Sequence, residues 1–317
     1  MNRLLRNITP LVASLLLATP ALSADQFINV LTGGTSGVYY PLGVALANDI
    51  GKAMPAVKTS VQATKASVEN LNLLQAGRGE VAFTLGDSLS DAWKGSEDAG
   101  FKTPLKKLRG IAAIYPNYIQ IVARADAGIK TLADLKGKKI SVGAPKSGTE
   151  LNARAIFAAA GLTYKDFAKV EYLPFGESVE LMKNRQLDVT LQSAGLGVSA
   201  LRDLATSVDI TVVPISADIV KKTNDPAYLV AVIPANTYRG QTADVTTAAV
   251  QNYLVTYDGV SNDTVYGITK ALWTGLDQLV AAHSAAKAID PKHALDGMPI
   301  PLHPGAEKYY KEAGLIK

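Results

Sequence analysis

Two stretches of this chain share one plan. Thr32-Gly33-Gly34-Thr35-Ser36-Gly37 is followed by Ser67-Val68-Glu69, and Gly143-Ala144-Pro145-Lys146-Ser147-Gly148 is followed by Ser178-Val179-Glu180. Ser36 precedes Ser67 by 31 positions, and Ser147 precedes Ser178 by 31. An apolar strand pattern enters each Ser-Gly turn and a helical pattern leaves it. In such a turn the free backbone N–H groups and the positive helix end point the same way, which suits an anion. Twin turns on twin lobes predict a clamp that closes on a small anionic molecule. That is the design of a binding protein more than of an enzyme.

The rest of the chain can be arranged around these turns. Phe27–Leu31, Val57–Ala63 and Glu80–Leu85 read as strands of a first lobe, with helices running to about Lys52 and from Ser67 to Gln75. Ser67 is expected to cap the second helix. Lys139–Gly143, Val170–Leu173 and Leu187–Leu191 repeat the series in a second lobe, with helices from Ser147 to near Gly161 and from Ser178 to Asn184. Thr131 and Asp134, and Ser147 and Glu150, have capping-box spacing. Alternating strands and helices imply parallel sheets with right-handed crossovers. Ile111–Arg124 and Asn252–Tyr257 are read as strands crossing between lobes, and the helices after Asp263 and Pro304 as returning to the first lobe. The expected division is residues 25–118 with 260–317 as lobe I and 119–259 as lobe II, joined by two connections that permit hinge closure.

The N-terminus is set apart. Met1–Arg6 carries two arginines and no acidic residue, Leu11–Ala18 is apolar, and Thr19–Ala24 offers small residues before Asp25. This is a secretory signal pattern with cleavage after Ser23 or Ala24, so residues 1–24 are expected to be removed and the product to be periplasmic. Removing Arg3 and Arg6 takes the net charge from +4 to +2, and the remaining basic residues are scattered, which gives no basis for nucleic-acid binding. The sequence contains no cysteine, which excludes disulfides, thiol catalysis and thiolate metal sites.

Several familiar chemistries fail on spacing. No Gly-Lys-Ser/Thr follows either turn, the third glycine falls wrongly for a dinucleotide fingerprint, and Gly34–Val38 lacks the closing glycine of a nucleophile elbow. His283, His293 and His303 all lie near the C-terminus, away from both turns, so neither a metal site nor a Ser-His-Asp triad is expected and no cofactor is implied. Glu69 and Glu180 are read as first-turn carboxylates favouring the helix dipole, not as an acid–base pair. Further positions have two readings each. Lys146 either attracts a ligand carboxylate or is solvated. Asp87, at a strand end, either accepts a ligand proton donor or caps Ser88–Asp91. Gln192-Ser193 occupies the corresponding end in the second lobe, with the same two readings. Tyr39 and Tyr40 cannot share a helix face, so one packs and the other borders the cleft.

The run from Thr32 through Val38-Tyr39-Tyr40-Pro41 to Gly43 resembles the opening signature of the TAXI proteins, the solute receptors of one branch of TRAP transporters. Ser67–Leu71, Gly143–Glu150 and Leu302-His303-Pro304-Gly305-Ala306-Glu307-Lys308-Tyr309-Tyr310 are similar to that family as well. The resemblance implies an α/β, type II periplasmic binding fold of two lobes, and capture of glutamate or a dicarboxylate for delivery to a TRAP membrane permease, by a monomer. It implies that Thr35, Ser36, Gly37, Tyr39, Ser147, Gly148 and Thr149 line the cleft. Ser36 and Lys146 stand where that family often has glycine, and Gly86-Asp87 stands where it has Ser-Asp. A receptor of the same fold serving an ABC importer or a sensor kinase is the alternative, and a periplasmic hydrolase or transferase a further one.

Overall fold

The computed structural model describes residues 26–317, so the signal-segment expectation lies outside the described residues. The order begins β1 (Gln26–Leu31), α1 (Tyr39–Ala53), β2 (Val57–Gln62), α2 (Ser67–Gln75), β3 (Val81–Leu85), α3 (Gly86–Lys94) and the long β4 (Leu108–Arg124). It continues with β5 (Lys139–Ser141), α4 (Gly148–Ala159), β6 (Lys169–Glu171), α5 (Phe175–Lys183), β7 (Val189–Ala194), α6 (Ser199–Ser207), β8 (Ile210–Val213), α7 (Ala217–Lys222) and β9 (Tyr228–Ile233). The long β10 (Val245–Tyr257), α8 (Asn262–Thr274), α9 (Leu276–Ala282) and α10 (Pro304–Glu312) complete it.

The duplication seen in the sequence is present in the topology. The sheet runs β2-β1-β3-β10-β4-β7-β5-β6, so β2-β1-β3 at one end has the same internal order as β6-β5-β7 at the other. Pairing is parallel within each trio, with Val30 opposite Val81 and Ile140 opposite Val189. β3 and β7 are buried along their whole length, as expected of strands covered by helices on both faces.

Two long strands tie the halves together. β10 pairs antiparallel with β3 through Asn252–Val255 and with β9 through Val245–Val250. β4 pairs with β10 over its first part, then with β7 through Tyr118–Ala123 and with β8 through Ile121–Arg124. Their register shifts between Gln251 and Tyr253, beside Pro116, which has no N–H to offer a ladder. The second crossing strand therefore begins at Val245, seven residues before the expected Asn252. Its extra length is Val-Thr-Thr-Ala-Ala-Val-Gln, whose strand character comes largely from pairing with β9 rather than from a strong alternation of its own.

The core packs on both faces of the sheet. Leu42, Leu46 and Ile50 of α1 meet Ile268 and Leu272 of α8 in one cluster. Leu71 and Leu74 of α2 and Leu89 of α3 join Phe101 and Leu108 in another. Ile156 and Phe157 of α4 pack with Ile121 and Leu191 in a third, within the second half. Helices held this way on sheet faces present their N-termini along the edges of the strands where the halves meet.

Candidate functional site

The N-caps of the first five helices line one cavity. Val38, Ala66, Leu85, Ser147 and Pro174 precede α1, α2, α3, α4 and α5 respectively, and all five are on its wall. Each helix start carries an effective charge of about +0.5, so five of them form a positive field that no single sequence segment encodes. The cavity holds about 90 Å³, roughly six times the volume that one water centre needs. Its walls are mainly apolar, with Tyr39, Tyr115 and Phe175 as aromatic faces. Lys65, at the exposed rim, is the cationic side chain among the lining residues.

The polar groups on the wall are short of partners. Tyr115 is 1% exposed, Asn117 4% and Ser193 5%. The Tyr115 hydroxyl, Asn117 Oδ1 and Ser193 Oγ make no hydrogen bond. Buried polar atoms normally find a partner, so three on one small cavity mark a place where a guest completes the set. Burial raises the Tyr115 hydroxyl well above its ordinary pKa, with the Tyr39 hydroxyl adding to the effect, so it stays protonated and able to donate.

The halves touch around this cavity. The Glu69 N–H donates to the Lys146 carbonyl at 3.3 Å, and the Ser199 hydroxyl to the Ser36 carbonyl at 2.8 Å. Gly148 lies against Ser67, Leu85 and Ser88 of the other half so closely that a Cβ there would come within 2.6 Å of Leu85. Asp87 on α3 accepts from Asn152 Nδ2 on α4 at 2.5 Å and from the Tyr228 hydroxyl on β9 at 2.9 Å. These contacts join the two halves across the cavity.

Of the residues singled out by sequence, Gly37, Tyr39, Ser147, Gly148 and Thr149 line the cavity; Thr35, Ser36, Asp87, Lys146 and Gln192 do not. The reasons are local. Gly37 N–H bonds back to the Gly34 carbonyl, so α1 starts at Tyr39 and Thr35 and Ser36 remain in the turn outside it. Ser36 is therefore no helix cap, and the two Ser-Gly turns are not superposable copies. Lys146 sits at φ +60 and is exposed, which sends its side chain to solvent and leaves its carbonyl for Glu69. Gln192 is buried, and strand alternation puts Ser193, its neighbour, on the cavity face instead.

Asp87 is neither a free ligand acceptor nor merely a cap. It accepts from the Ser88 N–H at 2.7 Å as well as from Asn152 and Tyr228, and burial pushes its carboxyl up to about 6. Tyr39, not Tyr40, borders the cavity, and its hydroxyl is buried and donates to Asn252 Oδ1 rather than being exposed.

The serine at the end of each repeat also behaves differently from expectation. Ser67 is the first residue of α2, not its cap; Ala66 takes that place at φ +70, and Ser67 Oγ accepts from the Leu85 N–H. Ser178 lies inside α5, which starts at Phe175 after Pro174, and its hydroxyl donates to the Pro174 carbonyl. Glu180 is thus past the first turn and pairs with Lys183, while Glu69 stays in the first turn as expected. At α4 only half of the expected capping box forms. Ser147 Oγ accepts from the Glu150 N–H at 3.2 Å, but the Glu150 carboxylate turns to Arg154 and the Tyr164 hydroxyl.

Lys65, Tyr115, Asn117 and Phe175 are among the lining residues that local pattern did not reveal, whereas Ser193 lies at the strand end it singled out. The Tyr115-Pro116-Asn117 interruption of an otherwise β-branched strand is the one signal that pointed to this part of β4.

The chain matches the NMT1-like family over residues 30–314. It belongs to the NMT1-like family. The narrower TAXI assignment is not what this match gives. Solved structures share the fold at low identity. One is PhnD1 from Prochlorococcus marinus in complex with methylphosphonate, with a TM-score of 0.53, 13% identity, and 92% of this chain and 99% of that chain covered. Another is the alkanesulfonate-binding protein SsuA from Xanthomonas axonopodis pv. citri bound to MOPS, at 0.52 and 13%, covering 93% and 96%. A third, named as a candidate L-cystine ABC transporter from Listeria monocytogenes, is at 0.52 and 17%, covering 84% and 98%. The fold of this NMT1-like chain is that of the periplasmic binding proteins, a mixed α/β sheet flanked by helices. Among the described residues no helix is long and apolar enough to cross a membrane.

Proposed function

We propose that this protein is an exported, periplasmic solute receptor that closes on a small organic anion and passes it to a membrane importer without altering it. The observation that carries this reading is the convergence of five helix N-caps on one cavity whose Tyr115, Asn117 and Ser193 oxygens have no partner. No carboxylate, imidazole or thiol is among the lining side chains. Residues 25–118 with 260–317 would move as one lobe and 119–259 as the other, hinged on β4 and β10. Closure then needs only that the ligand bind the closed form better than the open one. About three charge-assisted hydrogen bonds, at about 1.5–3 kcal/mol each before ordering costs, fit micromolar affinity, about −8 kcal/mol.

An ABC importer is the partner we favour over the TRAP permease that the sequence resemblance implied. In its support, a relative of the same fold is named for an ABC transporter, while the TAXI assignment has no counterpart among these relatives. Reconstituted uptake tests this: transport driven by ATP supports the ABC importer, and transport driven by an ion gradient alone returns the TRAP reading. The receptor reading is tested by titrating the mature protein with organic anions. A raised melting temperature is expected for at least one, and mass spectrometry of ligand released on denaturation should identify an acid; if every anion leaves the transition unmoved, the reading fails.

A further inference from the structure

The chemistry of the cavity wall narrows the guest beyond the receptor reading, on which this inference rests. Five helix N-termini and the Lys65 ammonium favour negative charge. No carboxylate side chain lines the wall, and Asp87 is closed off by Asn152, Tyr228 and Ser88. A ligand ammonium there would be buried without a counter-charge and against positive helix ends, which is strongly unfavourable. A second carboxylate would bring a second negative charge into a mainly apolar wall, where Lys65, exposed at the rim, is the one cationic side chain among the lining residues. The volume of about 90 Å³ leaves room for few heavy atoms.

The neutral groups indicate what else the guest carries. Asn117 Nδ2 donates to the Ser193 carbonyl at 3.0 Å. That bond fixes the amide orientation, because its oxygen has no proton to give to a carbonyl. Asn117 Oδ1 is thereby left as a buried acceptor without a donor. Propionate or acetate offers it none; a hydroxyl does. Ser193 Oγ, also without a partner, belongs to the residue whose carbonyl holds Asn117 in place.

We infer that the cleft takes a small monoanion that also carries a neutral hydrogen-bond donor, a short 2-hydroxy acid in kind, and rejects amino acids and dicarboxylates. The carboxylate is held by the helix N-termini, and the hydroxyl completes Asn117 and Ser193.

Four probes separate these features: L-lactate, propionate and L-alanine, which are of nearly equal size, and succinate, which is longer and carries the second carboxylate. Calorimetric titration would use the mature protein freed of co-purified ligand by unfolding and refolding. Lactate, or its one-carbon-shorter or -longer hydroxy analogue, is expected to bind at least ten-fold tighter than the corresponding deoxy acid, with alanine and succinate silent. Ser193→Ala removes an oxygen that has no protein partner, so the fold is not at stake. It should lower the preference for lactate over propionate at least three-fold, and Asn117→Leu should act in the same direction. Equal binding of lactate and propionate, binding of alanine or succinate as tight as lactate, or an undiminished hydroxyl preference in both variants overturns the inference. So does tight binding confined to donor-free acids or sulfonates, a result that leaves the receptor reading intact. If none of a wider set of organic acids and sulfonates binds, the receptor reading itself has failed.

Discussion

Gly148→Ala separates closure from folding. Gly148 is the first residue of α4, and its backbone is outside the left-handed region, so alanine fits the local conformation. The added Cβ would lie 2.6 Å from Leu85 Cδ1, 2.7 Å from Ser67 Oγ and 3.0 Å from Ser88 Oγ. Ordinary carbon contacts are about 3.5–4.0 Å, so two of these are about an ångström too short. Relief is restricted: Ser67 Oγ is held by the Leu85 N–H at 3.1 Å, and Leu85 is itself buried. Overpacking of this kind costs about 1–3 kcal/mol. All three atoms belong to the opposite half, so the cost falls on the closed form alone. At about 1.4 kcal/mol per decade, the tightest-binding acid should bind roughly 5- to 150-fold more weakly. The ligand-free melting temperature should stay level or rise slightly, since alanine is the better helix former. Calorimetry and thermal melting on the same preparation decide the matter. Unchanged affinity refutes the closure argument. A ligand-free melting temperature that falls in step with the affinity refutes it too, because the clash would then belong to the fold itself.

Other variants probe the supports of the site. The Asp87 carboxyl titrates at about 6 against an ordinary 3.8, through burial and then through the charges of Asp225 and Asp91, partly opposed by bonds from Tyr228 and Ser88. The folded form therefore holds the proton more tightly, so Asp87 contributes stability that is present below pH ~4 and lost as pH rises through ~6, about 3 kcal/mol in all. Urea unfolding of wild type and Asp87→Asn across that window should show their difference changing by about that amount in favour of the variant; a difference flat in pH would falsify the assignment. Ser147→Ala removes the acceptor for the Glu150 N–H and should cost about 1 kcal/mol in chemical denaturation. Gly305→Ala would place a Cβ 2.2 Å from the Asn262 carbonyl oxygen, a backbone atom, and should destabilise the α8–α10 packing by about 3 kcal/mol, at the upper end of overpacking. Tyr310→Phe removes the hydroxyl that donates to the Ile111 carbonyl at 2.8 Å, and a loss of about 1–3 kcal/mol is expected in the same assay.

The repeat of strand, glycine-bearing turn and helix was legible because its causes are short-range. β1 is a brief, largely apolar run, Gly143 at φ +92 has the backbone conformation that glycine favours, and Ser147 caps α4 through a residue three places on. Hydrophobic periodicity placed α1, α2 and α4 to within a residue or two. The starts of helices without such a cap were harder to read. α1 begins beyond Ser36 because of a turn closed by Gly37, and α5 begins before Ser178 because Pro174 precedes it. Short elements such as β8 and β9 owe their form to pairing with β4 and β10, which lie far away along the chain.

By itself, then, the order of residues determined the doubled β-α-β-α-β plan and where its glycine-bearing turns fall, since both follow from periodicity and from hydrogen bonds that span only a few positions. Tertiary structure decided which groups face the cavity. It engaged Asp87 with Asn152 and Tyr228, turned Gln192 away while presenting Ser193, and brought Lys65, Tyr115 and Asn117 to one wall. Such choices depend on which element packs against which, so contacts between residues far apart in the chain, not local preference, set the chemistry of the site.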